Sequence, residues 1–105
     1  MDKAICLGPE HYERMVAEWG NLTWFASGQL GNSDHLTVGR CIIKPGQKNP
    51  EHGHPNCEEV LYVVRGRIRH FVAGQPAVEM AMGDTITIPA GLAHNAANTG
   101  NEDAE

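Results

Sequence analysis

The chain has 105 residues, which is enough for one compact domain but leaves no room for a second catalytic domain. Its formal net charge of −5 at pH 7 provides no basic field to hold a phosphate backbone, so nucleic acid is not an expected partner. Apolar runs are short and cut by turns, and the 12 glycines are many for this length; an all-β fold is expected, with no membrane-spanning segment.

The three cysteines, Cys6, Cys41 and Cys57, are widely spaced and form no Cys-x-x-Cys pair, which argues against a disulfide framework. Residues 1–7 lack the basic start and apolar core of a signal peptide. A cytoplasmic location is therefore expected. For Cys57, the interpretation as a small packed turn residue is favoured over that as a thiol facing a substrate.

Residues 9–19 have the pattern of an amphipathic helix. Pro9 suits the first turn, an apolar stripe follows at i, i+3, i+4 and i+7, and Gly20 follows as a stop signal. The stripe consists of Tyr12, Met15, Val16 and Trp19. The sequence thus predicts a short N-terminal helical segment over residues 1–21, packed on the outside of a sheet.

Strands are predicted over most of the remaining chain, because β-branched and aromatic residues alternate with turn signals. The predicted ranges are 22–26, 35–44, 59–65, 67–73, 77–82 and 85–89. Residues 59–65 and 67–73 are expected to form a hairpin about Gly66. His35, at the start of its strand, is interpreted as an exposed residue, although an additional ligand is the alternative.

Alternation along residues 59–65 turns Glu59, Leu61 and Val63 inward and Val60, Tyr62 and Val64 outward. Both faces of this strand are apolar, so it needs a second cover, either the N-terminal helix or another subunit. A homodimer is expected on this ground.

The chemistry-bearing residues lie in two segments. In the first, His52 and His54 are two apart on an extended backbone, so both imidazoles leave the same face, and Glu59 follows after a turn. Alone, this pattern also fits surface polar residues beside a turn. In the second, His94 follows a strand and a Pro/Gly turn. Three histidines and one carboxylate make a complete open metal site.

These two segments resemble the two motifs of the cupin superfamily. The first pattern is a glycine, five residues, His-x-His, four residues, glutamate, six residues and a glycine, and the second places glycine, proline, glycine, histidine and asparagine in order. They are filled here by Gly46, His52, His54, Glu59 and Gly66, and by Gly83, Pro89, Gly91, His94 and Asn98. The resemblance, to small single-domain cupins, implies a jelly-roll β-barrel, metal ligands at His52, His54, Glu59 and His94, and a dimer.

The resemblance also indicates one cupin domain over residues 1–105, with the barrel in residues 22–105. Cupins normally continue past the Asn98 position with a further apolar strand, whereas residues 101–105 here are polar. The usual last strand is therefore expected to be missing. Either the sequence is shortened at this end, or an N-terminal strand or a neighbouring subunit fills the place of that strand.

A site of three histidines and one carboxylate suits one divalent transition metal ion, namely Fe, Mn, Ni, Co, Cu or Zn, and disfavours Ca²⁺ and Mg²⁺. Four ligands leave one or two positions open for a small-molecule substrate. The sequence indicates either a metal-dependent enzyme acting on a small organic acid, enol or sugar-derived substrate, by dioxygenase or by lyase/isomerase chemistry, or a non-catalytic sensor or storage module. In the enzyme, Glu59 is a ligand and also a proton acceptor.

Four arginines and one histidine are further candidate functional residues. Four arginines are candidates for gripping an anionic substrate, although most are expected to be solvated: Arg40, Arg65, Arg67 and Arg69. His70 is interpreted as a hydrogen-bonded structural histidine, with an acid/base in the cavity as the alternative.

Overall fold

The computed structural model describes residues 3–105, so Met1 and Asp2, at the start of the predicted helical segment, lie outside the described residues. Within this range the fold is nearly all-β, which confirms the predicted class. A single turn of 3-10 helix occupies Pro9–His11. The strands are β1 (Glu13–Ala17), β2 (Gly20–Ala26), β3 (Val38–Ile43), β4 (Glu59–Tyr62), β5 (Arg67–Val72), β6 (Val78–Ala81), β7 (Thr85–Ile88) and β8 (His94–Asn98).

The described residues form two compact units, one ending at Cys41 and the other comprising Ile42–Glu105. The strands form three sheets, with orders β1-β2-β3, β4-β7 and β6-β5-β8. Strand β3 runs across the boundary between the units. The single domain expected over residues 1–105 stays a prediction.

The predicted N-terminal helix is wrong. Beyond the 3-10 turn the chain enters β1, which pairs antiparallel with β2 from Glu13 opposite Trp24 to Ala17 opposite Gly20. The apolar stripe does not pack as a helix face, because Met15 and Val16 are 46% and 70% exposed. A short isolated helix is marginal in water, whereas the β1-β2 hairpin satisfies the same backbone groups with an aromatic, β-branched partner strand.

In the second unit, β5 is the central strand of its sheet and pairs antiparallel with β6 and β8. Its residues alternate between exposed and buried, and this alternation places Ile68, His70 and Val72 on the buried face. Arg67 and Arg69 share the exposed face. Buried apolar side chains of this unit form its core: Ile43, Val63, Ile68, Val72, Met80, Ile88, Ala96 and Ala104.

The predicted hairpin about Gly66 is also wrong, because β4 pairs with β7 and β5 belongs to a different sheet. After β4 the chain bends away instead of folding back. Gly66 has a φ of +88°, and a Cβ at this position would approach the Ala104 Cα and the Asp103 carbonyl oxygen to 3.0 Å. The glycine that indicated a hairpin therefore serves a turn between two sheets, packed against the C-terminal segment.

The polar segment 101–105 is held by backbone hydrogen bonds. Ile43 and Ala104 exchange N–H to carbonyl bonds, both of 2.9 Å, and Ala104 is only 2% exposed. The Glu105 carbonyl accepts from the Val64 N–H at 2.7 Å, and the Glu105 N–H donates to the Arg65 carbonyl at 2.9 Å. This segment therefore covers the turn that leads from β4 to β5.

The alternation predicted for β4 and the residues after it is confirmed for its outward face. Val60, Tyr62 and Val64 are 63%, 62% and 51% exposed, whereas Val63 is 3% exposed. Thr85 and Thr87 on the paired strand β7 are exposed as well. No helix within residues 3–105 is long and apolar enough to cross a membrane.

Candidate metal centre

The two segments that carry the histidines are paired through their backbones. His52 and His94 face each other in an antiparallel bridge, with the His52 N–H donating to the His94 carbonyl at 3.0 Å and the His94 N–H donating to the His52 carbonyl at 2.7 Å. Asn49 continues the pairing, because its N–H donates to the Ala96 carbonyl and its Oδ1 accepts from the Ala96 N–H. His52 and His94, which are 42 residues apart in sequence, are therefore held side by side.

Gly53, between the two histidines of the first segment, permits this close approach. A Cβ added at Gly53 would lie 3.0 Å from the Leu92 carbonyl oxygen and 3.3 Å from its carbon, both backbone atoms. The next residue, His54, accepts a hydrogen bond at its carbonyl from the Gly91 N–H at 2.7 Å. The position between the histidines therefore needs a residue without a side chain.

Glu59 is the point on which the imidazoles converge. It is the first residue of β4, held opposite Ile88 of β7. Its Oε1 lies 3.1 Å from His54 Nε2 and 3.8 Å from His52 Nε2, and its Oε2 lies 3.2 Å from His94 Nε2. One carboxylate thus contacts three histidines, and ligand atoms of His52, His54 and Glu59 all lie within 4.8 Å of one another.

His94 fits a metal ligand by a separate observation. It is 2% exposed, and its Nε2 is buried without a hydrogen-bond partner, although it faces the Glu59 carboxylate. A buried polar nitrogen left unpaired costs about 1–3 kcal/mol, and bonding to an ion would remove that cost. The donors, three imidazole nitrogens and one carboxylate, are of the types that divalent transition metals accept.

The far nitrogen of His52 is also hydrogen-bonded. His52 Nδ1 lies 3.0 Å from the Pro50 carbonyl oxygen, which accepts hydrogen bonds but cannot donate them, so Nδ1 carries the proton. The Nε2 lone pair is then free on the side of Glu59. A metal-binding histidine needs this tautomer, and the loop provides it through one backbone carbonyl.

The electrostatics of the buried histidines favour their neutral form. Burial lowers the pKa of His94, and the nearby His52 and His54 lower it further, whereas the Glu59 carboxylate acts in the opposite direction. Burial, followed by the neighbouring His94, lowers the pKa of His70 to about 4. Neutral imidazole is the form that binds a metal ion, so little proton release is required at His94 near neutral pH.

The structure thus brings together the four side chains that the sequence grouped, His52, His54, Glu59 and His94. Cys57 is exposed and does not belong to the group of ligand atoms around Glu59, and His35 is likewise exposed. The contact of His70 with His94, 2.9 Å from Nε2 to Nδ1, was not predicted from the sequence. The sequence signal for this contact is the alternation along β5, which places His70 on the same inward face as Ile68.

The four arginines named as candidates for binding an anionic substrate, most of which were expected to be solvated, are not among the side chains around Glu59. Arg69 pairs with Glu79 on the outer face of the β5-β6 pair, and the Arg40 guanidinium lies 5.7 Å from the centre of the Phe25 ring. Arg65 and Arg67 are exposed.

Comparison with known proteins supplies the family. Residues 39–105 match the cupin domain family. Germin-like protein 3-8 of Oryza sativa subsp. japonica is 36% identical over 73 residues, which cover 66% of this chain and 32% of that protein. The chain spans less than half the length of the curated relatives that it matches.

Two solved structures show the same fold. A structure of Bacillus subtilis oxalate decarboxylase, from work on its Mn(II) centres, superposes with a TM-score of 0.80 at 23% identity over 95% of this chain and 31% of that one. KdgF from Halomonas sp. superposes with a TM-score of 0.72 at 17% identity, over 89% of this chain and 80% of that one. These two likenesses show the fold, and the match over residues 39–105 establishes that the chain belongs to the cupin superfamily.

Proposed function

We propose that this cupin binds one divalent transition metal ion through His52, His54, Glu59 and His94. The observation that carries the proposal is the convergence of three Nε2 atoms on the two oxygens of one carboxylate, at 3.1, 3.2 and 3.8 Å. The burial of His94 Nε2 without a hydrogen-bond partner also supports the proposal. Fe, Mn, Co, Ni, Cu and Zn all accept this donor set, and cellular supply decides among them.

The function that this site supports best is a metal-dependent enzyme acting on a small organic acid, enol or sugar-derived substrate. Four protein ligands leave positions on a five- or six-coordinate ion for a small ligand. Access is open on one side, because the His52 and His54 side chains are 38% and 46% exposed. When bound, the metal supplies Lewis-acid polarisation of a substrate oxygen, and two reaction types use it, dioxygen-dependent cleavage and lyase or isomerase chemistry.

The residues of the chain have distinct tasks in this proposal. His94, buried, fixes the depth of the site, and the exposed His52 and His54 form its mouth. Glu59 supplies the one negatively charged ligand. Its side chain is 28% exposed, so it is accessible to accept a proton from a bound substrate. The name of one structural neighbour, an oxalate decarboxylase, supports a small organic acid as the substrate.

The test is anaerobic reconstitution of the purified chain with each of the six metals, followed by elemental analysis after desalting. Oxygen uptake and product formation are then measured with dicarboxylates, diketones, catechols and hydroxy acids. His52→Ala removes a ligand. His35→Ala, an exposed histidine in the other unit, is the matched control.

We expect one ion per chain, lost in His52→Ala and retained in His35→Ala, and turnover that follows metal content. Saturable binding of a small acid without turnover would instead support the non-catalytic module. A folded chain that takes up none of the six ions would overturn the proposal.

We also infer that the chain forms a homodimer through the outward face of β4. Val60, Tyr62 and Val64 form an exposed apolar row, and the adjoining β7 residues on that side, Thr85 and Thr87, are uncharged. A second copy packed there buries apolar area without bringing the net negative charges of the two chains into contact at this face. Light scattering of Tyr62→Lys should give a monomer, and Val16→Lys, exposed in the other unit, should remain dimeric. A monomeric parent chain at micromolar concentration would refute this.

A cytoplasmic location is proposed as well. The thiols of Cys6 and Cys57 are exposed, and a reducing compartment keeps such thiols reduced. Fractionation of cells that express the full-length protein tests the location, and recovery outside the cytoplasm would refute it.

A further inference from the structure

His70 is a fully buried polar side chain beside the proposed metal site. It lies on β5, is 1% exposed, and its Nε2 is 2.9 Å from His94 Nδ1. The two rings are close to parallel, with 18° between their planes and 5.2 Å between their centres. Each ring thus limits the orientation of the other.

The hydrogen bond between these rings has a direction that metal binding decides. To bind an ion, His94 must present a lone pair on Nε2, which leaves its proton on Nδ1. Nδ1 faces His70 Nε2, so His70 must accept and carry its own proton on Nδ1, a buried atom that has no hydrogen-bond partner among the described residues. In the opposite arrangement His70 donates, His94 Nε2 is protonated, and no lone pair faces Glu59.

The contrast with His52 shows why His70 matters. The partner of His52 is a backbone carbonyl, which only accepts, so the tautomer of His52 is fixed by the main chain. The partner of His94 is a side chain that is able to donate or accept. The orientation and tautomer of the buried ligand therefore depend on one residue that is not itself among the ligands.

We propose that His70 is the positioning residue for His94: by accepting the Nδ1 proton, it holds the ring so that the Nε2 lone pair points to the metal. This inference rests on the proposed metal site. Loss of the acceptor leaves a buried N–H unpaired and lets the ring turn, and both effects weaken metal binding. Partners of this kind typically change metal affinity about 10- to 100-fold.

The test compares metal affinity, measured by competition with a chelator, between variants of the same strand. His70→Leu removes the acceptor. His70→Gln keeps an oxygen at similar reach and is the conservative rescue. Ile68→Ala, two residues away on the same buried face, lowers stability without touching His94's partner and is the control for a merely structural effect.

We expect Zn²⁺ affinity to fall about 10- to 100-fold in His70→Leu, and to stay within about threefold of the parent in His70→Gln and Ile68→Ala. Equal affinities in His70→Leu and the parent would overturn the role of His70 while leaving the metal site intact. A parent chain that binds no metal would overturn the proposed function, and the role of His70 with it.

A second measurement needs no variant and covers the case in which His70→Leu fails to fold. Nitrogen-15 NMR of the zinc-loaded parent reports the tautomer of each histidine and the coupling across a hydrogen bond. His70 should be neutral with its proton on Nδ1, and its Nε2 should be coupled to His94 Nδ1. A zinc-loaded protein in which His70 carries a proton on Nε2 would refute the proposal.

Discussion

The two halves of the candidate metal centre differ in how they hold their histidines. The loop half, His52 and His54, is partly exposed and is shaped by main-chain contacts, with Pro50 fixing one ring and Gly53 permitting close approach to Leu92. The strand half, His94 on β8 and His70 on β5, is buried and is held by side-chain contact. The loop half therefore gives access, whereas the strand half ties the site to the stability of the sheet.

The largest expected effect separates these halves directly. His94→Ala should abolish metal binding and also destabilise the metal-free chain by about 2–4 kcal/mol, because it leaves a cavity and an unpaired His70. His54→Ala should weaken metal binding but change the stability of the metal-free chain by less than about 0.5 kcal/mol. Urea unfolding of the metal-free variants measures both. Equal losses of stability in the two variants would break the comparison.

Lowering the pH should reduce the unfolding free energy of the metal-free chain through His70, the buried histidine on β5 in the strand half. The pKa of His70 is about 4 in the folded chain and 6.5 for an unperturbed histidine. Between these two pH values the unfolded chain binds a proton at His70 and the folded chain does not, so acid favours unfolding. The contribution of His70 is therefore complete above pH 6.5 and is lost as the pH falls towards 4. Unfolding free energy should fall by about 2 kcal/mol from pH 7.5 to pH 5 through His70 alone. His70→Gln should remove that part of the slope, and an unchanged slope would contradict this assignment.

The loop half should respond to added volume at one glycine. Gly53→Ala places a Cβ against the Leu92 backbone, so we expect a loss of about 1 kcal/mol in stability and weaker metal binding as His52 and His94 move apart. Gly28→Ala is the matched control, since its nearest neighbour would be 3.9 Å away. Thermal unfolding and chelator competition measure the two effects. If both alanine variants behave alike, the close approach at Gly53 is not important.

The smallest expected effect concerns the outer face of β5. Arg69, which precedes His70 in sequence but lies on the solvent side of β5, pairs there with Glu79. Arg69→Ala should change stability by less than about 0.5 kcal/mol, because an exposed ion pair gains little over solvation. Metal affinity should not change. A larger loss measured by urea unfolding would show that the two faces of β5 are not independent.

The sequence predicted much of the second unit and less of the first. Period-two alternation predicted the outward row at Val60 and Tyr62, because side-chain direction in a strand is a local property. The failure at residues 9–19 has a physical cause: an apolar spacing that fits a helix was overridden by pairing of β1 with β2, which is not local.

The same distinction applies to the site. The spacing of His52, His54 and Glu59 is readable because the three residues are close in sequence, and resemblance to a family added His94. The partner of His94 was not identified, since which side chain of β5 meets β8 depends on strand register, with Val72 opposite His94 and His70 opposite Ala96. The hairpin expected at Gly66 failed for a related reason, because a glycine with positive φ serves many kinds of turn.

The single carboxylate of the cluster affects which small ligands the candidate metal centre would attract. Glu59 contributes one negative charge, and the neutral imidazoles contribute none, so a dication held there keeps one uncompensated positive charge. In a chain that is otherwise acidic, that charge is a local attraction for anions and opposes the general repulsion of the surface. If the proposed metal ion binds, a monoanion would be the ligand that restores neutrality, and a cationic or neutral competitor of equal size would be at a disadvantage.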